Sequence, residues 1–542
     1  MGRQKGYLLV EGVNIYDNLL DTDQLSVIRG GSFLLKDAIE DIRNQFKRDL
    51  RPLSTGASSG LFQIVGGQSA SDLDNQVVRF LRNNPNFRFL PFIVVSTVAG
   101  SLLEAKEKLL TQLRFMQLQS PTFAPDLSDQ DHRSLGIPCQ LEGRRAAVTN
   151  AERKVQSEQP RQLSLSVLRR LEHGRAMRQD HYFRDDEKPP GLHNYRFTDD
   201  FEALATSEKQ GVLSGKLAVI YADGNKFSNI QREYLAKSGT EKQDEAQRQF
   251  DECVQTLRET FLKNLLREMV EGDRFPDALT VNDQNKSAIR CETLLWGGDE
   301  FQFVLPAWMG LEFVQYFFEK SRDWRTRDDA PLTHALGIVF CHAKSPIRVI
   351  GQLARNLAER VKQGLGDDPC RNAWDYIVLE SIDYPANPGI DDFMSIRYGA
   401  ELADARPVFL PPDDDWNGTK ERLIALAGKS LLTRRQLYRI ADAFGAGLHE
   451  DGVSWADLSN PAKPLPGNAS EQTRLEQRMF RLMAEEERQP ATDALAAIAA
   501  RLMGAGEDGA SLLDSAARRA WLWIHLIEWW DYWPGLREEA MQ

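Results

Sequence analysis

Three carboxylates stand where they could bind metal and move phosphate. Asp223 ends the apolar run Leu217 to Tyr221, and Asp299 and Glu300 follow the glycine pair Gly297-Gly298 within the stretch AIRCETLLWGGDEFQFVL. Acidic oxygens at the ends of neighbouring strands suit two Mg²⁺ or Mn²⁺ ions, because Mg²⁺ prefers carboxylates together with substrate phosphates. Such a pair can activate a ribose 3′-hydroxyl and neutralise a leaving pyrophosphate. Asp223 and Asp299 are therefore expected metal ligands, and Glu300 a further ligand or the base beside the attacking hydroxyl. Gly224, Asn225, Gly297 and Gly298 would let phosphate approach the backbone, and Lys344 and Lys362 are candidate contacts to a triphosphate. Asp-Gly and Gly-Gly-Asp are also ordinary turn signals, so the weight rests on their occurring together. His334 and His342 flank a strand and receive no role.

The elements around these residues must bring them together. Leu217 to Tyr221 predicts a buried strand, and Asp244 to Val270 carries apolar residues at three- and four-residue spacing, an amphipathic helix. Ala288 to Leu305 predicts a hairpin turning at Gly297-Gly298. Ala335 to Cys341 predicts a strand, Pro346 to Val361 a helix and Trp374 to Leu379 a closing strand. This is read as the order β-α-β-β-α-β, a ferredoxin-like palm in which the first strand and the hairpin share one sheet. Asp223 and Asp299 are then neighbours.

The N-terminal part repeats this plan in weaker form. Leu8-Leu9-Val10-Glu11-Gly12-Val13-Asn14 parallels Ile220-Tyr221-Ala222-Asp223-Gly224-Asn225-Lys226, and Phe89 to Val98 with the helical stretch Leu102 to Leu118 parallels the later strand and helix. LFQIVGGQSA at Leu61 to Ala70 is matched to the hairpin, with Gln68-Ser69 where the acids would stand. The expected architecture is α+β: a degenerate first palm (1–120), an Arg-rich connector (121–205), a catalytic palm (206–390) and a helical C-terminal domain (391–542). The connector includes Arg144, Arg145, Arg153, Arg169, Arg170, Arg175 and Arg178, and is read as carrying some basic surface. C-terminal helices are predicted at Lys420 to Ala443, Glu471 to Glu487, Ala491 to Met503 and Ala516 to Trp530. The aromatic cluster Trp521, Trp523, Trp529, Trp530, Tyr532 and Trp533 reads as helix packing rather than a base-stacking surface.

Bulk properties fit this picture. A chain of 542 residues exceeds what one core organises. A formal charge of -12 argues against a surface that grips nucleic acid throughout. The five scattered cysteines have no zinc or disulfide spacing, which points to a reducing cytosol and a cytoplasmic location. The N-terminus lacks a signal-type apolar core, and no apolar run is long enough to span a bilayer, so no membrane association is expected.

The paired motifs resemble two families that share the GGDEF-type palm. Bacterial diguanylate cyclases match only about Leu213 to Tyr384, would use GTP, and carry an Arg-x-x-Asp site before the turn that Ala288-Ile289-Arg290-Cys291 does not supply. The large polymerase/cyclase subunit of type III CRISPR effector complexes (Csm/Cmr type) is similar over nearly the whole chain. That resemblance implies conversion of ATP into cyclic oligoadenylates in antiviral defence, with the first palm holding an acceptor nucleotide. It also implies effector subunits, guide RNA and target RNA as partners, or a dimer if the protein works alone. Asn225 stands where this family usually has a second acid, and Asp299-Glu300 where it usually has Asp-Asp. No His-Asp pair marks a nuclease domain, and Cys139 is the connector's only cysteine. A silent nucleotide-binding scaffold is the reading from another class, and the retained acids argue against it.

Overall fold

The computed structural model describes residues 4–67, 69–120, 131–155, 159–177, 191–281, 287–366, 370–380, 389–411, 416–428, 432–444, 448–503 and 508–532. Gln68, Arg178 and Trp533, singled out above, lie outside them. The fold is mixed α/β with several sheets.

Strands β1 (Lys5–Gly12), β2 (Leu50–Thr55), β3 (Ser59–Ile64) and β4 (Phe92–Ala99) form an antiparallel sheet of order β2-β3-β1-β4. Helix α1 (Leu25–Gln45) follows β1, α2 (Ala70–Asn83) follows β3 and α3 (Leu102–Gln119) follows β4. Strand side chains alternate between faces. Leu8 and Val10 therefore pack on Leu34, Ile39 and Leu73 of α1 and α2, while Tyr7 and Leu9 pack on Leu102 and Leu109 of α3.

In the connector, α4 (Leu165–Ala176) lies against α1 at very short range. A Cβ at Gly30 would stand 1.8 Å from the Arg170 carbonyl oxygen, and one at Gly174 would stand 1.9 Å from that of Ser26, so only glycine permits this crossing. Arg145 and Arg170 both pair with Asp21, at 2.8 and 2.9 Å. These two arginines are core groups and add nothing to the connector's basic surface, because buried charge is tolerated where it is paired.

A second sheet is built from β5 (Lys216–Gly224), β6 (Glu292–Gly297), β7 (Glu300–Pro306), β8 (His334–His342) and β9 (Ala373–Val378). Its order is β6-β7-β5-β8-β9, antiparallel except for the parallel β8–β9 pair. Helices α5 (Phe227–Lys237) and α6 (Gln243–Glu271) follow β5, α7 (Gly310–Ser321) joins β7 to β8, and α8 (Ile347–Gly364) joins β8 to β9. Ala218, Ile220 and Ala222 face α6 and α7 through Phe261, Leu265, Phe313 and Phe317. Leu217, Val219 and Tyr221 face Ile350, Leu353 and Leu357 of α8.

Two expectations change here. The helix that completes the β-α-β-β-α-β order is α7, which the periodicity did not reveal, and α8 with β9 extends the unit beyond it. Further, Gly66-Gly67 is not the first hairpin's turn. Strands β2 and β3 meet at residues 56–58, and the glycine pair follows β3 at the opposite end of the sheet.

The C-terminal part is helical, with helices Trp416–Gly428, Arg434–Phe444, Glu471–Leu482, Glu485–Met503 and α9 (Ala516–Trp529). The single helix read over Lys420 to Ala443 is thus two. On α9, Trp521, Trp523 and Trp529 are buried. Trp529 stacks on Trp374 of β9 at 5.8 Å, and the Tyr376 hydroxyl shares a 2.6 Å hydrogen bond with His525 Nδ1. The described members of the aromatic cluster are core against the second sheet. Among the described residues, no helix is long and apolar enough to cross a membrane.

Candidate active site

Asp223 is the penultimate residue of β5 and pairs in register with Glu300, the first residue of β7. Gly298 (φ +53°) makes the turn between β6 and β7, a conformation in which glycine is cheap and other residues are strained. The turn is tied to β5 by a hydrogen bond from Gly224 N to the Asp299 carbonyl oxygen, 3.2 Å. Sheet pairing thus collects Asp223, Asp299 and Glu300 at one end.

Their electrostatics are those of crowded acids. Burial, then the charge of Asp223, pushes the Asp299 carboxyl up to about 7. Glu300 is raised for the same two reasons, opposed by Arg355, whose Nη2 stands 3.9 Å from Glu300 Oε1. Asp223 is paired with Lys362 Nζ at 2.5 Å, from the last turn of α8. Lys362 therefore stands at the cluster. Lys344 does not. It precedes α8 at the far end of β8, where Lys216 pairs with His342, seven residues along β5 from Asp223 and so about 23 Å away.

Asn225 is buried and turned from the acids. Its Nδ2 donates to Thr333 Oγ1 (3.2 Å) and to the Arg371 carbonyl oxygen (2.8 Å), bracing the loops before β8 and β9. A nucleotide contact from this side chain does not fit that arrangement. His334 is packed among Phe227, Phe301, Phe317 and Trp324, and burial holds it near 3, neutral and out of acid–base work.

A cavity of about 540 Å³ opens beside the cluster. Gly297, Gly298, Glu300 and Arg355 line it from the second unit, and Glu11, Asn14 and the hairpin tip 54–59 line it from the first. Its size is in the range of small-molecule sites, roughly 300–1,000 Å³. The two hairpins meet at its edge, where a Cβ on Gly297 would stand 3.5 Å from Ala57 Cβ. Sequence reasoning missed Arg258, Arg355 and the tip Gly56-Ala57-Ser58. An arginine inside an amphipathic helix carries no local sign of facing a turn, and the tip was hidden by the stronger Gly66-Gly67 signal.

The donor chemistry fits a hard divalent cation: oxygen only, acidic and mutually repelling, with Asp299 held up by burial and then by its neighbour Asp223. Among the described residues, no group of three or more His, Cys, Asp or Glu is arranged to enclose a metal. Mg²⁺ does not require one, since it commonly takes one or two carboxylates and completes its shell with substrate phosphates.

No protein-family model matches the chain, and no curated protein matches it. Among the solved structures it resembles are Csm1 and Csm1–Csm4 assemblies, one of them a subcomplex in the type III-A CRISPR-Csm interference complex. Csm1 in T. onnurineus is 12% identical, with a TM-score of 0.39, over 90% of this chain and 70% of that one. A Csm1–Csm4 cassette in complex with pppApApA is 11% identical, with a TM-score of 0.46, over 97% and 69%. The cassette in complex with cA4 is 12% identical, with a TM-score of 0.40, over 90% and 70%.

Proposed function

We propose that this chain is a metal-dependent palm nucleotidyltransferase that converts ATP into cyclic oligoadenylates. The supporting observation is the carboxylate cluster Asp223, Asp299 and Glu300 beside a cavity shared by two hairpin tips. We read residues 1–120 as a degenerate ferredoxin-like palm, 121–205 as a connector, 206–390 as the catalytic palm and 391–542 as a helical domain. The catalytic palm holds the donor nucleotide and the first palm holds the acceptor.

In the reaction, the 3′-oxygen of one nucleotide attacks the α-phosphorus of another, and the bond to pyrophosphate breaks. Two Mg²⁺ or Mn²⁺ ions, when bound, would orient the attacking hydroxyl and neutralise charge on the leaving group. Asp223 and Asp299 would hold them, displacing Lys362 from Asp223 toward the triphosphate. Glu300 accepts the proton of the 3′-hydroxyl or completes the ligand set. Gly298, exposed and without a side chain, leaves room for phosphate at the turn.

The sequence resemblance supplies the substrate base and the setting: a CRISPR type III or similar defence complex with effector subunits, guide RNA and target RNA. The Csm1–Csm4 structures carry AMPPNP, pppApA, cA3 and cA4, and equivalent ligands for this chain are part of the proposal. Incubation of the purified protein with each labelled NTP and Mn²⁺, alone and with co-purified partners, tests it by mass spectrometry of the products. Cyclic adenylates that vanish in an Asp299→Ala/Glu300→Ala variant support it. Cyclic di-GMP would replace the substrate, and no product from any NTP would leave a nucleotide-binding scaffold.

A further inference from the structure

Helix α6 is 29 residues long, about 43 Å of rod, and like α1 it touches both hairpins. Asp244, Asp251, Gln255 and Arg258 are spaced by seven, four and three residues, which sets them on one face of the helix. At the start of that face, Asp244 accepts hydrogen bonds from Lys5 Nζ (2.6 Å), Tyr7 Oη (3.0 Å) and Gln63 Nε2 (3.1 Å), all in the first sheet. Two turns on, Asp251 accepts from Ser54 Oγ (2.7 Å) and Thr55 N (3.2 Å), and Gln255 Nε2 donates to the Thr55 carbonyl oxygen (2.7 Å). These three residues grip the first unit.

Arg258 turns the same face to the second unit. Its Nη1 donates to the Gly298 carbonyl oxygen at 3.3 Å, and its guanidinium lies 5.5 Å from the centre of the Trp296 ring on β6. It is buried and lines the shared cavity. Beyond it, Phe261, Leu262 and Leu265 anchor the helix in the core of the second unit. One rigid helix thus holds the first hairpin tip through Asp251 and Gln255 and the second turn through Arg258, within two turns.

We propose that α6 sets the spacing between the two nucleotide half-sites, with Arg258 as the positioning residue that holds the Gly298-Asp299 turn against the first hairpin. The half-sites rest on the proposed function; the clamp itself does not. A rod fixed at both hairpins keeps the reacting nucleotides in line, and a displacement of about 1 Å in such a site costs on the order of 100-fold in rate.

The test combines hydrogen–deuterium exchange with steady-state kinetics on the full chain, comparing wild type with Arg258→Met, Arg258→Lys and Asp251→Asn. Arg258→Met is expected to speed exchange at residues 297–300 about tenfold while leaving residues 54–58 unchanged, and Asp251→Asn to do the reverse. Arg258→Met should lower kcat about 100-fold with KM within a factor of two, and Arg258→Lys should recover part of that loss. The proposal is overturned by unchanged exchange at 297–300, by faster exchange across the whole chain, or by a loss carried by KM alone. If Arg258→Met does not fold, Arg258→Lys decides by the same two readouts. A wild type that makes no product would sink the proposed function, and the exchange pattern would still decide on the clamp.

Discussion

The first and second sheets end their central strands in nearly the same way. Glu11 pairs with Ser59 on β1 and β3 as Asp223 pairs with Glu300 on β5 and β7. Three residues beyond each acid, the chain takes a left-handed conformation at the N-cap of the next helix: Asn14 with φ 51° and Lys226 with φ 56°. The first unit even keeps an acid, and burial raises Glu11 as it raises Asp299. The difference lies in the partners. Where the second hairpin offers Asp299 and Glu300, the first offers Ser58 and Ser59, and Lys362 pairs with Asp223 in the second. A shared backbone frame therefore does not make the two ends alike. Under the proposed function, the two further carboxylates and the nearby ammonium would make the second unit the catalytic half-site, and the first unit, with Glu11 as its acid at the matching place, would hold the other nucleotide.

The largest effect comes from attacking that difference directly. Asp223→Ala or Asp299→Ala should cut turnover by about 10³-fold or more, while Ser58→Ala and Ser59→Ala in the matching positions should change it by less than about tenfold, measured as product per chain. Comparable losses on both sides would erase the asymmetry.

The joint between the units ranks next. Arg29 of α1 and Glu292 of β6 form a fully buried pair, with Arg29 Nη2 also donating to the Thr198 carbonyl oxygen at 3.2 Å. Glu292→Ala strands a buried guanidinium and should destabilise the protein by about 3–5 kcal/mol in urea unfolding.

A third prediction uses pH. A carboxyl raised from 3.8 to about 7 makes its stabilising contribution below the unfolded value and loses it as pH rises through about 7. Asp299→Asn should therefore stabilise the metal-free protein at pH 8 by about 1–3 kcal/mol, read as a higher melting temperature, and the gain should shrink toward pH 4. Ser58→Ala should show no such pH dependence.

The smallest effect separates true turn from false. Gly298→Ala should cost about 1 kcal/mol because of its positive φ, and Gly67→Ala, which meets no atom within 4 Å and has no positive φ, should be neutral by thermal melting.

Much of the second unit was legible because its signals are local. The run ending at Asp223, the glycine turn and the amphipathic spacing of α6 and α8 each appear within a few residues of their observed places. Helix α7 was not, since Phe313, Val314, Tyr316, Phe317 and Phe318 are all buried and leave no polar stripe to reveal a helical period. Lys344 and Lys362 looked equivalent as charges at the two ends of one helix. Only the direction of α8 along the sheet tells them apart. Likewise Asn225 reads as a nucleotide contact by its nearness to Asp223, but it lies just past the end of β5, where its amide is taken up by Thr333 and the Arg371 carbonyl instead.

Native mass spectrometry with AMPPNP and Mn²⁺ tests the unequal half-sites most directly. The account predicts two nucleotides per wild-type chain, Mn²⁺ bound only with the nucleotide of the second unit, and Asp223→Ala/Asp299→Ala chains that keep one nucleotide and lose the Mn²⁺. A single nucleotide per wild-type chain, or Mn²⁺ binding that survives in the double variant, would contradict it.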